Sequence, residues 1–110
     1  MAQKGQVNVL AVEGELVAET VGEFRRLVEQ CRQRDGRDFV VDLRAARTVD
    51  SAGLEALTAL QRECEERLGL LRFCGVNQTI GKILEMTRLE RRFDCCRNLP
   101  AALAAMRSGA

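Results

Sequence analysis

The stretch FVVDLRAARTVDSAGLEAL, residues 39–57, decides the fold. It opens with a short, unbroken apolar run rich in β-branched residues, which predicts a central strand at 38–43, covered on both faces. Its second half has an acid, a hydroxyl and two small residues before apolar positions at helical spacing. A helix is therefore predicted from about Ser51 to Leu68. Asp50 or Ser51 is the expected N-cap, because a short oxygen-bearing side chain can accept the free amide protons of the first turn.

On both sides of this stretch, short apolar or alternating runs predict further strands, and apolar residues at helical spacing predict further helices. They are strands at 6–12, 15–17, 70–74 and 92–96, and helices at 21–34, about 80–87 and from about 98 onward. The strand at 15–17 is expected to form a hairpin with the first strand. The resulting order, β-β-α-β-α-β-α-β-α, favours an α/β fold with a mostly parallel central sheet and helices packed against it. A length of 110 residues suits a single domain, 1–110, with its core at about 6–106.

The apolar faces of the first two long helices follow from their periodicity. In the helix at 21–34, the residues predicted to face inward are Val21, Phe24, Leu27, Val28 and Cys31. In the helix that starts near Ser51, they are Leu54, Leu57, Leu60, Cys64 and Leu68.

The composition excludes several classes of function. The chain has no His, Trp or Tyr, so it lacks the usual general base and the best stacking side chains, and we predict no enzymatic activity. A net charge of +1 predicts no direct nucleic acid binding. No apolar run approaches the ~20 residues that span a bilayer, so no membrane insertion is predicted. Five cysteines, an odd number, without an export signal predict reduced thiols and a cytoplasmic location.

No cofactor or metal is predicted. The stretch CGVNQTIGKI, residues 74–83, has the wrong glycine spacing for a phosphate-binding loop and an Ile where the Mg²⁺-binding hydroxyl belongs. Asn77 is expected only to cap the following helix. The cysteines lack the paired spacing of a zinc site. In the adjacent pair Cys95 and Cys96, successive strand residues face opposite ways, so one of the two is expected to be exposed and oxidisable.

Ser51 is the candidate functional residue. A hydroxyl at a helix N-terminus is well placed to carry a phosphate, because the free amides and the helix dipole tolerate negative charge. A partner docked there would not tolerate it, since a phosphate brings about −1.5 to −2 charges into the contact. The small neighbours Ala52 and Gly53 are expected to let a partner approach the backbone closely. Thr48, Val49, Asp50 and Leu54 are the expected neighbours of Ser51 on this contact surface.

Two stretches together resemble a known family. FVVDLRAARTVDSAGLEAL at 39–57 and LRFCGVNQTIGKILEMTRLERRF at 71–93, followed by a helical C-terminus, are similar to the STAS domain (sulfate transporter and anti-sigma factor antagonist). The likeness extends from about Gln6 to Met106 and is most specific in the loop and the DSAGL segment. Among STAS domains, the chain looks most like the small stand-alone bacterial anti-sigma factor antagonists, also called anti-anti-sigma factors.

The resemblance implies a partner-switching regulator of transcription. Ser51 would be the residue of this chain that is phosphorylated, and the enzyme would be an anti-sigma factor that is also a serine protein kinase. Unphosphorylated protein would bind this kinase, phosphorylated protein would be released, and a phosphatase would reset it. Many such antagonists carry Ser or Thr directly after the acceptor, where this chain has Ala52. An alternative is therefore a STAS subunit of a bacterial lipid-transport ABC complex, which binds the ATPase subunit with a similar loop.

Overall fold

Strands and helices alternate through the residues that the computed structural model describes, 7–34 and 36–107. The strands are β1 (Asn8–Ala11), β2 (Gly14–Leu16), β3 (Phe39–Asp42), β4 (Ala46–Val49), β5 (Leu71–Cys74) and β6 (Cys95–Cys96). The helices are α1 (Val21–Gln33), α2 (Ser51–Glu66), α3 (Gln78–Met86) and α4 (Leu99–Arg107), with one 3₁₀ turn at Leu89–Arg91. The predicted α/β class is confirmed. The predicted domain, 1–110, also includes residues 1–6, 35 and 108–110, which lie outside the described residues, as does the first residue of the strand predicted at 6–12.

The strands form two parallel sheets. The larger sheet has the order β1-β3-β5-β6, and the smaller one pairs β2 with β4. All the pairings in both sheets are parallel, as the alternation of strands and helices predicts. In the larger sheet Val41 pairs with Leu10 on one side and Phe73 on the other. The strand predicted at 38–43 is therefore central.

One prediction about the strands is wrong, and one strand was not predicted. β2 does not form a hairpin with β1, because the chain continues forward through Gly14, whose φ of +78° suits glycine, and Gly14 donates its N–H to Ala45. No strand was predicted at β4, because its residues include the polar Arg47 and Thr48. β2 follows β1 in the chain as β4 follows β3. The smaller sheet therefore extends from the carboxyl-terminal edge of the larger one.

Apolar side chains cover both faces of the larger sheet. On one face, Phe39, Val41 and Phe73 pack in the main core beneath α1, α2 and α3. On the other face, Val40 and Cys74 pack beneath α4 in a smaller cluster. Val40 and Val41 are both completely buried although they point in opposite directions. This two-sided burial explains why β3 is apolar throughout instead of alternating.

Two residues predicted to face inward are exposed. Phe24 and Val28 lie at the centre of the apolar face of α1. Leu27 lies at the edge of that face and is therefore 41% exposed. Leu68 is 86% exposed because α2 ends at Glu66, two residues earlier than predicted. Leu68 then takes a left-handed conformation, with φ of 61°. The chain reverses here, and Gly69 donates its N–H to the Cys64 carbonyl at 2.7 Å.

Candidate functional site

Ser51 lies at the first position of α2, immediately beyond the end of the smaller sheet. The buried side chain of Val49 anchors the end of β4 in the core. Asp50 follows in an extended conformation and donates its N–H to the Leu16 carbonyl at 3.3 Å. The chain then enters the helix at Ser51, whose side chain is exposed. The smaller sheet thus sets the position of this hydroxyl.

Asp50, rather than Ser51, caps α2. Its Oδ1 accepts the N–H of Gly53 at 3.0 Å, and its Oδ2 accepts the N–H of Ala18 at 3.1 Å. These donors, Gly53 first, lower the pKa of the Asp50 carboxyl, although partial desolvation opposes them. The Ser51 hydroxyl has no hydrogen-bond partner within residues 7–34 and 36–107. The sequence left the choice of cap open, and the structure leaves Ser51 free for another role.

Gly53 serves internal packing. A Cβ built on Gly53 would lie 2.8 Å from Val49 Cγ1 and closer still to the Leu16 carbonyl oxygen. The first turn of α2 therefore approaches β2 too closely for any side chain at this position. The expectation that Gly53 opens the surface to a partner is wrong, because its missing side chain faces β2. This close packing fixes the position of the first turn of α2 relative to the smaller sheet.

The residues predicted around Ser51 differ in their accessibility. Asp50 and Ser51 are exposed, and three others are half-buried: Thr48, Ala52 and Leu54. Ala52 and Leu54 also pack against the main core. Val49 and Gly53 are buried, so these two position the surface and offer a partner no side chain. The surface at Ser51, as we use the term below, consists of the five accessible residues.

A second surface feature, which no sequence motif indicates, lies beside β4. We call it the basic depression; it is lined by Arg44, Ala45, Ala46, Arg47, Asn77, Gln78 and Thr79. The predicted cap of α3 is confirmed, since Asn77 Oδ1 accepts the N–H of Ile80 at 2.9 Å. The same side chain donates from Nδ2 to the Ala46 carbonyl at 2.7 Å. Asn77 therefore joins the start of α3 to β4, a pairing that no local sequence pattern predicts.

The cysteines form no site within the described residues. All five thiols are free, and no group of three potential metal ligands occurs there. Burial raises the pKa of Cys64 to about 12 and of Cys74 to about 11, so neither forms appreciable thiolate at neutral pH. In the adjacent pair, Cys95 is exposed and Cys96 is half-buried, as predicted. The pKa of Cys95 is nevertheless raised, chiefly by desolvation of its thiol group and then by Cys96, and this disfavours the reactive thiolate.

The chain belongs to the STAS domain family, whose model matches residues 1–102. The order of strands and helices matches that of a STAS-like fold. No curated protein sequence matches the chain. None of the helices in the described part of the chain is both long and apolar enough to cross a bilayer.

Solved structures of several STAS proteins share the fold. An anti-sigma factor antagonist from Mycobacterium paratuberculosis superposes with a TM-score of 0.82 at 23% identity, covering 97% of this chain and 90% of its own. A sulfate transporter family protein from Wolinella succinogenes gives 0.80 at 20% identity, covering 97% and 88%. SpoIIAA, an anti-sigma factor antagonist, gives 0.80 at 16% identity in its unphosphorylated form, covering 98% and 94%. In its phosphorylated form, the same Bacillus protein gives 0.66 at 18% identity, covering 87% of each chain.

Proposed function

We propose that this protein is an anti-sigma factor antagonist that works by partner switching, with Ser51 as its phosphorylation site. The observation that carries the proposal is the exposed, unbonded hydroxyl of Ser51 beside a carboxylate that already caps the helix. In this proposal the unphosphorylated protein binds an anti-sigma factor with serine kinase activity, and a phosphatase removes the phosphate later. SpoIIAA, a structural neighbour, is known in both unphosphorylated and phosphorylated forms, which supports the same chemistry here.

The fold should tolerate a phosphate on Ser51. The hydroxyl makes no internal hydrogen bond within the described residues, so its esterification removes no stabilising contact. The phosphate would stand at the N-terminus of a 16-residue helix, where the helix dipole favours negative charge. Asp50 is a nearby anion, but its two oxygens already accept backbone amides. We therefore expect the phosphorylated protein to keep the same structure.

A docked partner would be released by the same modification. At a contact that covers Ser51, the phosphate adds about −1.5 to −2 charges, which must be desolvated and which repel acidic groups. If these effects cost ~3 kcal/mol, affinity falls roughly a hundredfold. In this arrangement the phosphate changes binding without changing the fold. The other residues of the surface at Ser51, which are Thr48, Asp50, Ala52 and Leu54, complete the proposed contact.

The chemistry of the switch belongs to the partners. The chain has no His, and its two lysines, Lys4 and Lys82, are not paired with a nucleophile in the sequence. We propose that the protein is a substrate of its kinase and phosphatase, acts in the cytoplasm and is not itself an enzyme. The sigma factor would be freed when the kinase binds this protein instead.

A second candidate is a STAS subunit of a lipid-transport ABC complex that binds the ATPase subunit through the same surface. Ala52 favours it, because the helix start then carries a single hydroxyl, and phosphorylation is not required. The likeness to a sulfate transporter family protein shows that this fold also occurs among transport proteins. Under this candidate, the ATPase and its permease would co-purify with the protein, and Ser51 would stay unmodified.

The test is phosphorylation by serine kinases from the organism that encodes the chain. Purified protein is incubated with each kinase and ATP, and the modified peptide is identified by mass spectrometry. We expect one phosphate, on Ser51, and none on a Ser51→Ala variant. Thr48→Ala is the matched control, since Thr48 carries a half-buried hydroxyl three residues away and its variant should be phosphorylated normally. The proposal fails if no kinase modifies Ser51 and a Ser51→Asp variant binds its partner as wild type does.

A further inference from the structure

The basic depression has two positive charges that the protein itself does not neutralise. Arg44 and Arg47 are exposed, and neither forms an ion pair with a carboxylate anywhere in residues 7–34 or 36–107. The acid next to Arg44 in the fold is Asp42, whose Oδ1 accepts the Arg44 backbone N–H at 3.0 Å. The lining is completed by small or neutral polar side chains, so it presents no negative charge. The surface is thus complementary to an acidic group.

The backbone of the basic depression is held in place before any partner binds. Asn77 connects the start of α3 to Ala46, as described above. Behind it, Gly75 has a φ of +65°, and a Cβ there would lie 2.9 Å from Arg44 Cβ and from Asp42 Oδ1. The turn before α3 therefore packs directly on the turn before β4. A preformed surface loses little conformational entropy on binding, which favours affinity.

The basic depression is continuous with the surface at Ser51. β4 joins the two, with Arg47 near its start and Ser51 two residues beyond its end. At roughly 3.3 Å per strand residue, the two Cα atoms are about 13 Å apart. This backbone separation exceeds the Debye length of about 8 Å at physiological salt, so we expect screening to weaken the attraction between a phosphate on Ser51 and the arginines. One partner surface of ordinary size could still cover both features.

We propose that the basic depression binds an acidic segment of the protein partner that also covers Ser51. This inference rests on the proposed function for the identity of the partner, and on charge complementarity and continuity for the surface. The arginines attract and orient the partner, while Ser51 decides whether it stays bound. Because screening separates them, loss of the arginines weakens binding of both phosphorylation states by a similar factor. Loss of the Ser51 hydroxyl abolishes only the difference between the states.

The first test uses decaglutamate as a probe and requires no kinase. ¹⁵N-labelled protein is titrated at low salt, and amide shifts are followed by NMR. We expect shifts at Arg44, Arg47 and 77–79, lost at 1 M salt and in an Arg44→Glu/Arg47→Glu variant. The control is Arg34→Glu/Arg67→Glu, which makes the same change in charge at the C-terminal ends of α1 and α2. The proposal is overturned if decaglutamate causes the same shifts in the Arg44→Glu/Arg47→Glu variant as in wild type. It is also overturned if duplex DNA or inorganic phosphate causes these shifts and decaglutamate does not.

The second test uses the serine kinase that phosphorylates Ser51. Its association rate with the Arg44→Glu/Arg47→Glu variant, at low salt, should fall about tenfold, because charged rims act mainly on encounter. The ratio of affinities between unphosphorylated and phosphorylated protein, measured at physiological salt where the Debye length is about 8 Å, should stay as in wild type. An unchanged association rate overturns the inference and leaves the phosphoswitch intact. If the association rate of the variant falls about tenfold but phosphorylation of Ser51 does not change affinity, the proposed function is refuted, while the role of the basic depression is supported.

Discussion

Gly53→Ala tests how the start of α2 is held against the smaller sheet. At an ordinary position in a helix, this change stabilises by about 0.5–1 kcal/mol, because glycine has more conformational freedom to lose. Here the new Cβ would overlap the Leu16 carbonyl and lie 2.8 Å from Val49 Cγ1. Overpacking of this kind costs ~1–3 kcal/mol, and the upper end of that range applies here because a backbone carbonyl cannot rotate away. The cost therefore exceeds the gain, and we expect a net loss of about 2 kcal/mol.

Gly22→Ala is the matched control. Gly22 also lies in the first turn of a helix, but a Cβ there meets nothing within 4 Å. This variant should be more stable than wild type by ~0.5–1 kcal/mol. Thermal unfolding followed by far-UV circular dichroism suits a chain without Trp or Tyr. At about 4 °C per kcal/mol, Gly53→Ala should lower Tm by about 8 °C, and Gly22→Ala should raise it by about 2–4 °C.

The comparison of the two glycines can refute this reasoning directly. If Gly53→Ala raises Tm as much as Gly22→Ala does, α2 is not held against β2 as described. The position of Ser51 would then lose its structural basis. A Gly53→Ala protein that unfolds earlier but binds its partner normally would separate stability from the binding surface.

Three further predictions follow from the contacts around the site. Asp50→Asn should lower the urea midpoint at pH 7, because the ionised carboxylate caps α2 better than an amide. Since the folded pKa of Asp50 is below the unfolded value of 3.8, this advantage is present above that value and disappears as pH falls through the folded pKa. Asn77→Ala should cost ~2 kcal/mol in urea unfolding, about one for the cap and one for the bond to β4; an unchanged midpoint would contradict both contacts. At pH 8, iodoacetamide should label exposed Cys95 and spare Cys64 and Cys74 until the protein unfolds, as peptide mass spectrometry can measure.

The sequence predicted those elements whose signal is local. The unbroken run at β3 indicated a strand covered on both sides, and the periodicity of α1 and α2 gave most of their buried faces. It failed where pairing is not local. β2 reads as a hairpin partner of β1 because the residues between them suit a turn, but the strand pairs with β4, about thirty residues later. β4 itself has too few apolar residues to be recognised alone.

The local geometry of the candidate site was predictable only in part, for the same reason. The DSAGL segment identifies a helix start, so the position of Ser51 in the first turn could be predicted from sequence, with Asp50 or Ser51 as its cap. The division of labour between Asp50 and Ser51 could not, because it depends on the Ala18 amide, 32 residues away along the chain. The role of Gly53 depends on the approach of β2, and the basic depression on the bond from Asn77 to β4. Each of these is a tertiary contact without a local signature.

The most direct test of the central claim measures partner affinity with and without a phosphate on Ser51. Unphosphorylated and fully phosphorylated protein are titrated separately into the cognate anti-sigma kinase by isothermal calorimetry, and circular dichroism compares their folds. We predict roughly a hundredfold weaker binding of the phosphorylated form, with an unchanged spectrum and Tm. Equal affinities would contradict it, as would a loss of binding that comes from unfolding of α2.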